Sequence, residues 1–281
     1  MDSGRRVQST KIREIRAIAA LRVDRWFYFP TADIYARPEE FGLNYQSVTF
    51  DSADQQLHGW FFPARGPAVG TVVHAHGNAG NVSAHFPYIA WMPASGWNVL
   101  CFDYRGYGRS GGRPSRRGTV EDTLAAIRYA RSRPDVNPER IVLFGQSLGG
   151  AVALVAASER RGVRALAVEG AFATYRQAAQ YVCAQSWALA LTAGTLSRLL
   201  ISAGCEPIDH VAHLAPTPVF FIAGKDDSIC DYRQTLELHA AAAEPKRLWV
   251  IEGGRHAGAM LETDGEGPRR LDEFFRQALD G

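Results

Sequence analysis

The sequence has 281 residues, of which 46% are hydrophobic and 21% charged, and its formal net charge is +2. That length and composition fit a single α/β domain with a sizeable core, and the near charge balance gives no basis for nucleic-acid binding. The four cysteines show no metal-ligand spacing, which argues against zinc and predicts a reducing, cytoplasmic compartment, with a Cys183–Cys205 disulfide as the alternative.

The first 26 residues form a basic arm. No stretch approaches the roughly 18–20 apolar residues of a membrane span, and no signal-peptide pattern is present. We expect a solvated, partly helical arm; the alternative is a helix that makes peripheral membrane contact. Its cationic residues are Arg5, Arg6, Lys11, Arg13, Arg16, Arg22 and Arg25.

From residue 27 to the end, apolar runs alternate with helical patterns, which predicts a mostly parallel sheet with helices on both faces. Residues 47–50 and 57–62 are predicted as an antiparallel edge pair around a turn at 51–54. Further strands are predicted at 70–74, 97–102, 140–144, 163–168, 219–223 and 247–251, and helices at 120–131, 148–157 and 269–279.

The segment 171–216 interrupts this alternation, because it has apolar residues but no strand pattern. We expect a small helical cap inserted after the sixth strand, over the carboxyl edge of the sheet, where such sheets bind ligands. Trp187 and Leu191 are the candidate pocket residues within it.

The strongest motif is Gly145-Gln146-Ser147-Leu148-Gly149-Gly150, which follows a predicted strand and opens a predicted helix. This is the setting of a GxSxG nucleophile elbow. The glycines let strand and helix approach closely, and the helix N-terminus favours negative charge beside Ser147. Ser147 is therefore the candidate nucleophile; the alternative is a glycine-rich turn without chemistry.

A second motif, residues 76–81 (HGNAGN), follows the strand at 70–74. An oxyanion needs backbone N–H donors that already point at it, and in an elbow one donor is the residue after the nucleophile. We predict Leu148 and Asn78 as the two donors. The alternative is that His76 and Asn78 only organise the loop through hydrogen bonds.

The candidate acid and base follow the nucleophile in the order that this chemistry uses. Asp227 comes after the strand at 219–223, and His256 comes after the strand at 247–251. We predict that His256 takes the serine proton and that Asp227 orients it. Asp226 and Glu169 are the competing candidates for the acid.

Two further features have structural interpretations. The loop 103–110 carries an Asp, an Arg and two turn glycines, and we favour a brace beneath the site over an anion site. His210 and His213 have metal-ligand spacing but no third ligand nearby, so we expect an exposed helix face and no metal.

Together these motifs resemble the α/β-hydrolase superfamily. The narrower resemblance is to the branch with the HGNAGN loop, which includes small serine esterases, lysophospholipid lipases and protein depalmitoylases. It covers residues 27 to the end and rests on residues 27–30, 57–60, 76–81, 103–110, 145–149, 224–227 and His256. It implies an eight-stranded sheet and places the acid at Asp227, the third residue after the loop glycine. The chain departs from its relatives at Gly170-Ala171 and in lacking a membrane-spanning N-terminus.

The resemblance implies a serine hydrolase for esters or thioesters that needs no cofactor. The apolar cap favours small-molecule or lipid substrates with a hydrophobic acyl or aryl group. Two alternatives stay open: an acyltransferase with the same triad, in which an alcohol or amine replaces water, and a non-catalytic binding protein on this fold.

Overall fold

A computed structural model describes residues 27–160, 162–185, 194–195, 197, 201 and 204–281. Within these ranges, the main sheet has the strands β1 (Gln46–Ser52), β2 (Gln55–Phe62), β3 (Gly70–Ala75), β4 (Trp97–Phe102), β5 (Ile141–Gln146), β6 (Leu166–Glu169), β7 (Val219–Gly224) and β8 (Lys246–Ile251). Their order in the sheet is β1-β2-β4-β3-β5-β6-β7-β8. β2 is antiparallel to both neighbours, and the other pairs are parallel, so the predicted mostly parallel eight-stranded sheet is confirmed.

Helices cover both faces of this sheet. The described helices are α1 (Val82–His85), α2 (Arg116–Ser132), α3 (Leu148–Glu159), α4 (Tyr175–Ala184), α5 (Pro207–His210), α6 (Tyr232–Ala241) and α7 (Glu266–Asp280). α2, α3 and α6 pack on one face, and α7 packs on the other together with two short 3₁₀ turns, Phe86–Ile89 and Met92–Ser95. Other 3₁₀ turns are Pro38–Phe41 and Val211–Leu214.

The central strands β3, β4 and β5 are buried at every position, and most of their residues are apolar because both faces of the sheet are covered. Consecutive side chains of a strand point to opposite faces. In β3, Val73 joins the core beneath α2 and α3, whereas Val72 joins the core beneath α7. Val142 and Leu143 of β5 divide in the same way.

Several expectations differ from the structure in detail. β6 begins at Leu166 rather than at 163, and α6 was not predicted. The described part of 171–216 holds α4 and α5 and no strand. Cys183 and Cys205 are both free thiols, so the alternative of a disulfide is wrong.

The basic arm, residues 1–26, lies outside the described residues, so its boundary and its membrane contact stay predictions. Phe29–Pro30 form a two-residue parallel bridge with Ala79–Gly80, which ties the start of the described chain to the loop after β3. Among the helices that the structure describes, none has the length and hydropathy that a bilayer crossing requires.

Candidate active site

The tight turn between β5 and α3 carries the candidate nucleophile. Ser147 has φ 54° and ψ −118°, a conformation that L residues rarely adopt. A Cβ atom on Gly145 would lie 2.4 Å from the Gly149 carbonyl oxygen, and one on Gly149 would lie 1.9 Å from that of Ala75. Only glycine fits at these two positions, so the motif is a steric requirement of the turn.

The candidate base and acid lie in the loops after β8 and β7. The His256 Nδ1–H donates to Asp227 Oδ2 at 2.7 Å, within the distance expected of an orienting acid. The other oxygen of Asp227 accepts the backbone N–H groups of Ile229 and Cys230, both at 2.8 Å. Asp227 is 3% exposed, whereas the neighbouring Asp226 is exposed to solvent. The carboxylate of Asp227 is thus held with one oxygen directed at the imidazole.

Glu169, at the end of β6, has other partners. Its carboxylate accepts the Gln146 side-chain amide at 2.8 Å and the Ala259 backbone N–H at 2.7 Å. Its carbonyl oxygen accepts the N–H of Ser147 at 2.8 Å. Burial raises the pKa of the Glu169 carboxyl. Glu169 therefore braces the elbow and leaves the contact with His256 to another carboxylate.

Two buried, neutral histidines lie near the elbow, His74 within β3 and His76 just after it. His74 lies between Gln146 Oε1, at 3.1 Å from its Nε2, and Cys101 Sγ, at 3.3 Å from its Nδ1. The His76 Nδ1–H donates to the Gly77 carbonyl at 2.7 Å. Burial lowers the pKa of each imidazole to about 3, so both are uncharged at neutral pH.

The side chain of Asn78 organises the loop after β3. Its Oδ1 accepts the Phe29 N–H at 3.3 Å and the Tyr107 hydroxyl at 2.8 Å, and its Nδ2 donates to the Phe27 carbonyl. Leu148 is the first residue of α3, where the N–H has no intrahelical acceptor. Both residues line the same cavity as the candidate nucleophile. A hole formed by their backbone N–H groups stays a prediction.

A cavity of about 580 Å³ lies beside Ser147 and His256. Among the described residues that line it, none is Asp, Glu, Lys or Arg. Its apolar wall includes Phe27, Phe29, Phe172, Ala178, Val182 and Ile229. The predicted pocket residues Trp187 and Leu191 lie outside the described residues, so their role stays a prediction.

Two residues of this wall, Ile229 and Cys230, were not predicted from the sequence. They stand two and three residues after the candidate acid in its own loop, and their apolar character is the one sequence signal that marks them. Burial raises the pKa of the Cys230 thiol, and a hydrogen bond with the Ser147 side chain partly offsets that shift. Cys230 therefore contributes a neutral thiol to the cavity beside the candidate nucleophile.

The loop 103–110 and the pair His210 and His213 were predicted to have structural roles. Asp103 accepts the Val82 N–H at 2.7 Å and lies 3.2 Å from His58 Nδ1, so its loop braces the sheet edge. His213 is exposed as expected, whereas His210 is half-buried, with its Nδ1 2.9 Å from the Ser158 hydroxyl of α3. In the described ranges no group of three or more His, Cys, Asp or Glu is placed to hold a metal ion.

Comparison with solved structures defines the fold class. The chain superposes on esterase PF2001 of Pyrococcus furiosus with a TM-score of 0.75 and 21% identity, over 89% of this chain and 98% of the esterase. It superposes on a puromycin-hydrolyzing peptidase of Mycobacterium tuberculosis with a TM-score of 0.66 and 20% identity, over 85% of this chain and 40% of the peptidase. At such identities the likeness concerns the fold, which is the α/β-hydrolase fold.

Sequence comparison defines the family. Residues 66–209 match the family described as serine aminopeptidase, S33, and the chain belongs to this family of α/β hydrolases. It is 38% identical to the protein YfhR of Escherichia coli K12, over 90% of this chain and 87% of YfhR. It is 32% identical to the α/β hydrolase domain-containing protein WAV2 of Arabidopsis thaliana, over 80% of this chain and 76% of that protein.

Proposed function

We propose that the protein is a serine hydrolase of the HGNAGN branch that cleaves carboxylic esters or thioesters with hydrophobic acyl groups. The observation that carries the proposal is the 2.7 Å hydrogen bond from His256 to a buried Asp227, beside Ser147 and facing one apolar cavity. A nucleophile, a base and an orienting acid are the set that acyl transfer requires.

In the proposed first step, the Ser147 hydroxyl attacks the acyl carbonyl carbon while His256 Nε2 accepts its proton. Asp227 holds the proton on Nδ1 and stabilises the imidazolium that forms. The carbonyl oxygen becomes an oxyanion, which accepts the backbone N–H groups of Asn78 and Leu148. Collapse of this intermediate expels the alcohol or thiol, which receives the proton from His256, and leaves an ester on Ser147.

In the second step, water replaces the leaving group. His256 accepts a proton from water as the water oxygen attacks the acyl carbon, and the same N–H donors receive the charge. The bond to Ser147 then breaks, and His256 returns the proton to the serine oxygen. This route uses no cofactor.

The cavity supports an apolar acyl group. Its volume of about 580 Å³ is in the range of small-ligand pockets. An aminopeptidase would need an acidic group to bind the substrate ammonium, and no carboxylate is among the described lining residues. The proposal therefore favours an uncharged acyl chain over a peptide N-terminus.

The test is a series of p-nitrophenyl esters of increasing acyl length, together with an aminoacyl p-nitroanilide. We expect kcat/KM to rise from acetyl toward a medium chain, with little cleavage of the anilide. Ala179 lines the cavity, so Ala179→Phe should move the preferred chain to a shorter length. Ala240→Phe, on the exposed side of α6, is the matched control and should leave the profile unchanged.

A preference for the anilide, or a length profile that Ala179→Phe does not alter, would overturn the assignment of this cavity to the acyl group. Addition of a competing alcohol separates hydrolysis from acyl transfer, because a transferase would form the new ester as its main product.

A further inference from the structure

Helix α4 contacts two parts of the active site at once. The helix forms part of the wall of the apolar cavity, through Ala178, Ala179, Val182 and Cys183. Tyr181, near the end of the helix, and Gln185, its C-cap, carry polar side chains that reach the loop after β7.

These two side chains bind the acid loop, residues 226–230. The Tyr181 hydroxyl donates to the Asp227 carbonyl oxygen at 2.9 Å. The Gln185 side-chain amide donates to the Ser228 carbonyl oxygen at 2.5 Å. Two successive peptide groups of the acid loop are therefore held by the cap helix.

The backbone of this loop sets the position of the candidate acid. One carboxylate oxygen of Asp227 is held by the N–H groups of Ile229 and Cys230, and the other meets His256. A movement of the loop backbone would therefore move the carboxylate relative to the imidazole, because both N–H donors move with it.

The start of α4 is fixed independently of the acid loop. The Thr174 hydroxyl accepts the Gln177 N–H at 3.1 Å and caps the helix. The Tyr175 N–H donates to the Glu206 carboxylate at 2.8 Å. Since α4 is anchored at this end, its other end provides a support against which the acid loop is held.

We propose that Tyr181 is a positioning residue for the catalytic acid, acting through the Asp227 carbonyl. The inference rests on the proposed function and extends it: the helix that walls the acyl cavity also sets the alignment of the triad. Tyr181 is not among the described residues that line the cavity, which makes its role one of positioning.

Tyr181→Phe tests this role, because it removes one hydroxyl and keeps the ring. A misplacement of about 1 Å costs on the order of 100-fold in catalysis, so we expect kcat to fall about 10- to 100-fold. KM should stay within about twofold, since the cavity wall is unchanged. Gln185→Ala, which removes the second hydrogen bond, should lower kcat in the same way. Tyr129→Phe, which removes a hydroxyl that accepts from Arg133 at 3.1 Å on α2, is the matched control and should keep full activity.

A raised KM with unchanged kcat in Tyr181→Phe would reduce α4 to a cavity wall and overturn the inference, as would no change at all. A readout independent of turnover is the low-field proton NMR resonance of the His256 Nδ1–H, which Asp227→Asn should abolish and Tyr181→Phe should shift or broaden. If Ser147→Ala keeps full activity, the proposed function fails, and the NMR result alone decides the role of Tyr181.

Discussion

The substitution Asp227→Asn replaces one carboxylate oxygen with an amide nitrogen, and the structure indicates which of the two oxygens is replaced. One carboxylate oxygen accepts two backbone N–H groups at 2.8 Å, so the amide oxygen of the variant should occupy that position. The amide nitrogen then faces His256 Nδ1, where a hydrogen-bond acceptor stood at 2.7 Å. Two donors cannot pair, so His256 must carry its proton on Nε2 and loses its ability to accept the Ser147 proton.

For this change of tautomer we expect kcat to fall by about 10⁴, which corresponds to about 5.5 kcal/mol of lost transition-state stabilisation. The free energy of unfolding should change little, because the two backbone hydrogen bonds are kept. Asp226→Asn is the matched control, since its exposed neighbouring carboxylate has no place in the proposed mechanism. The assay is steady-state hydrolysis of a p-nitrophenyl ester. Full activity in Asp227→Asn, or an equal loss in Asp226→Asn, would refute the reasoning.

Two further predictions follow from the buried polar groups. Asn78→Ala should lower kcat by about 10- to 100-fold, less than Ser147→Ala, because its side chain positions the loop while the proposed donor is main-chain; an equal loss would make the side chain the donor. The free energy of unfolding should decrease as the pH is lowered below about 6.5. His74 and His76 have pKa values of about 3 in the folded protein and therefore gain protons on unfolding. The free energy of unfolding, measured with urea, should be about 2–4 kcal/mol lower at pH 5 than at pH 7, because the raised pKa of the Glu169 carboxyl offsets part of the loss. A free energy of unfolding that does not change with pH would contradict this prediction.

The fold was predictable because its signals are local. Strands such as β3 and β5 are buried on both faces, and their sequences are mostly apolar runs that end at glycine-containing turns. Ser147 was identifiable as a polar residue directly after such a run, and Asp227 and His256 as polar residues in the loops that follow β7 and β8. Parallel strands bring their carboxyl ends to one edge of a sheet, which is why residues far apart in sequence meet there.

The cavity was not predictable in the same way. Its wall combines Phe27 and Phe29, the cap residue Phe172, helix α4 and the pair Ile229 and Cys230. These segments share no periodicity, and their meeting depends on contacts such as the Asn78 side chain, which ties the start of the described chain to the loop after β3. The support that α4 gives to the acid loop also depends on tertiary packing, which no sequence pattern records.

The most direct measurement is the identity of the residue that a fluorophosphonate modifies. We predict a single adduct on the tryptic peptide that contains Ser147, no labelling of Ser147→Ala, and a loss of turnover on the order of 10⁴–10⁶ in that variant. An adduct on another residue, or unchanged turnover in pure Ser147→Ala protein, would contradict the assignment of Ser147 as the nucleophile.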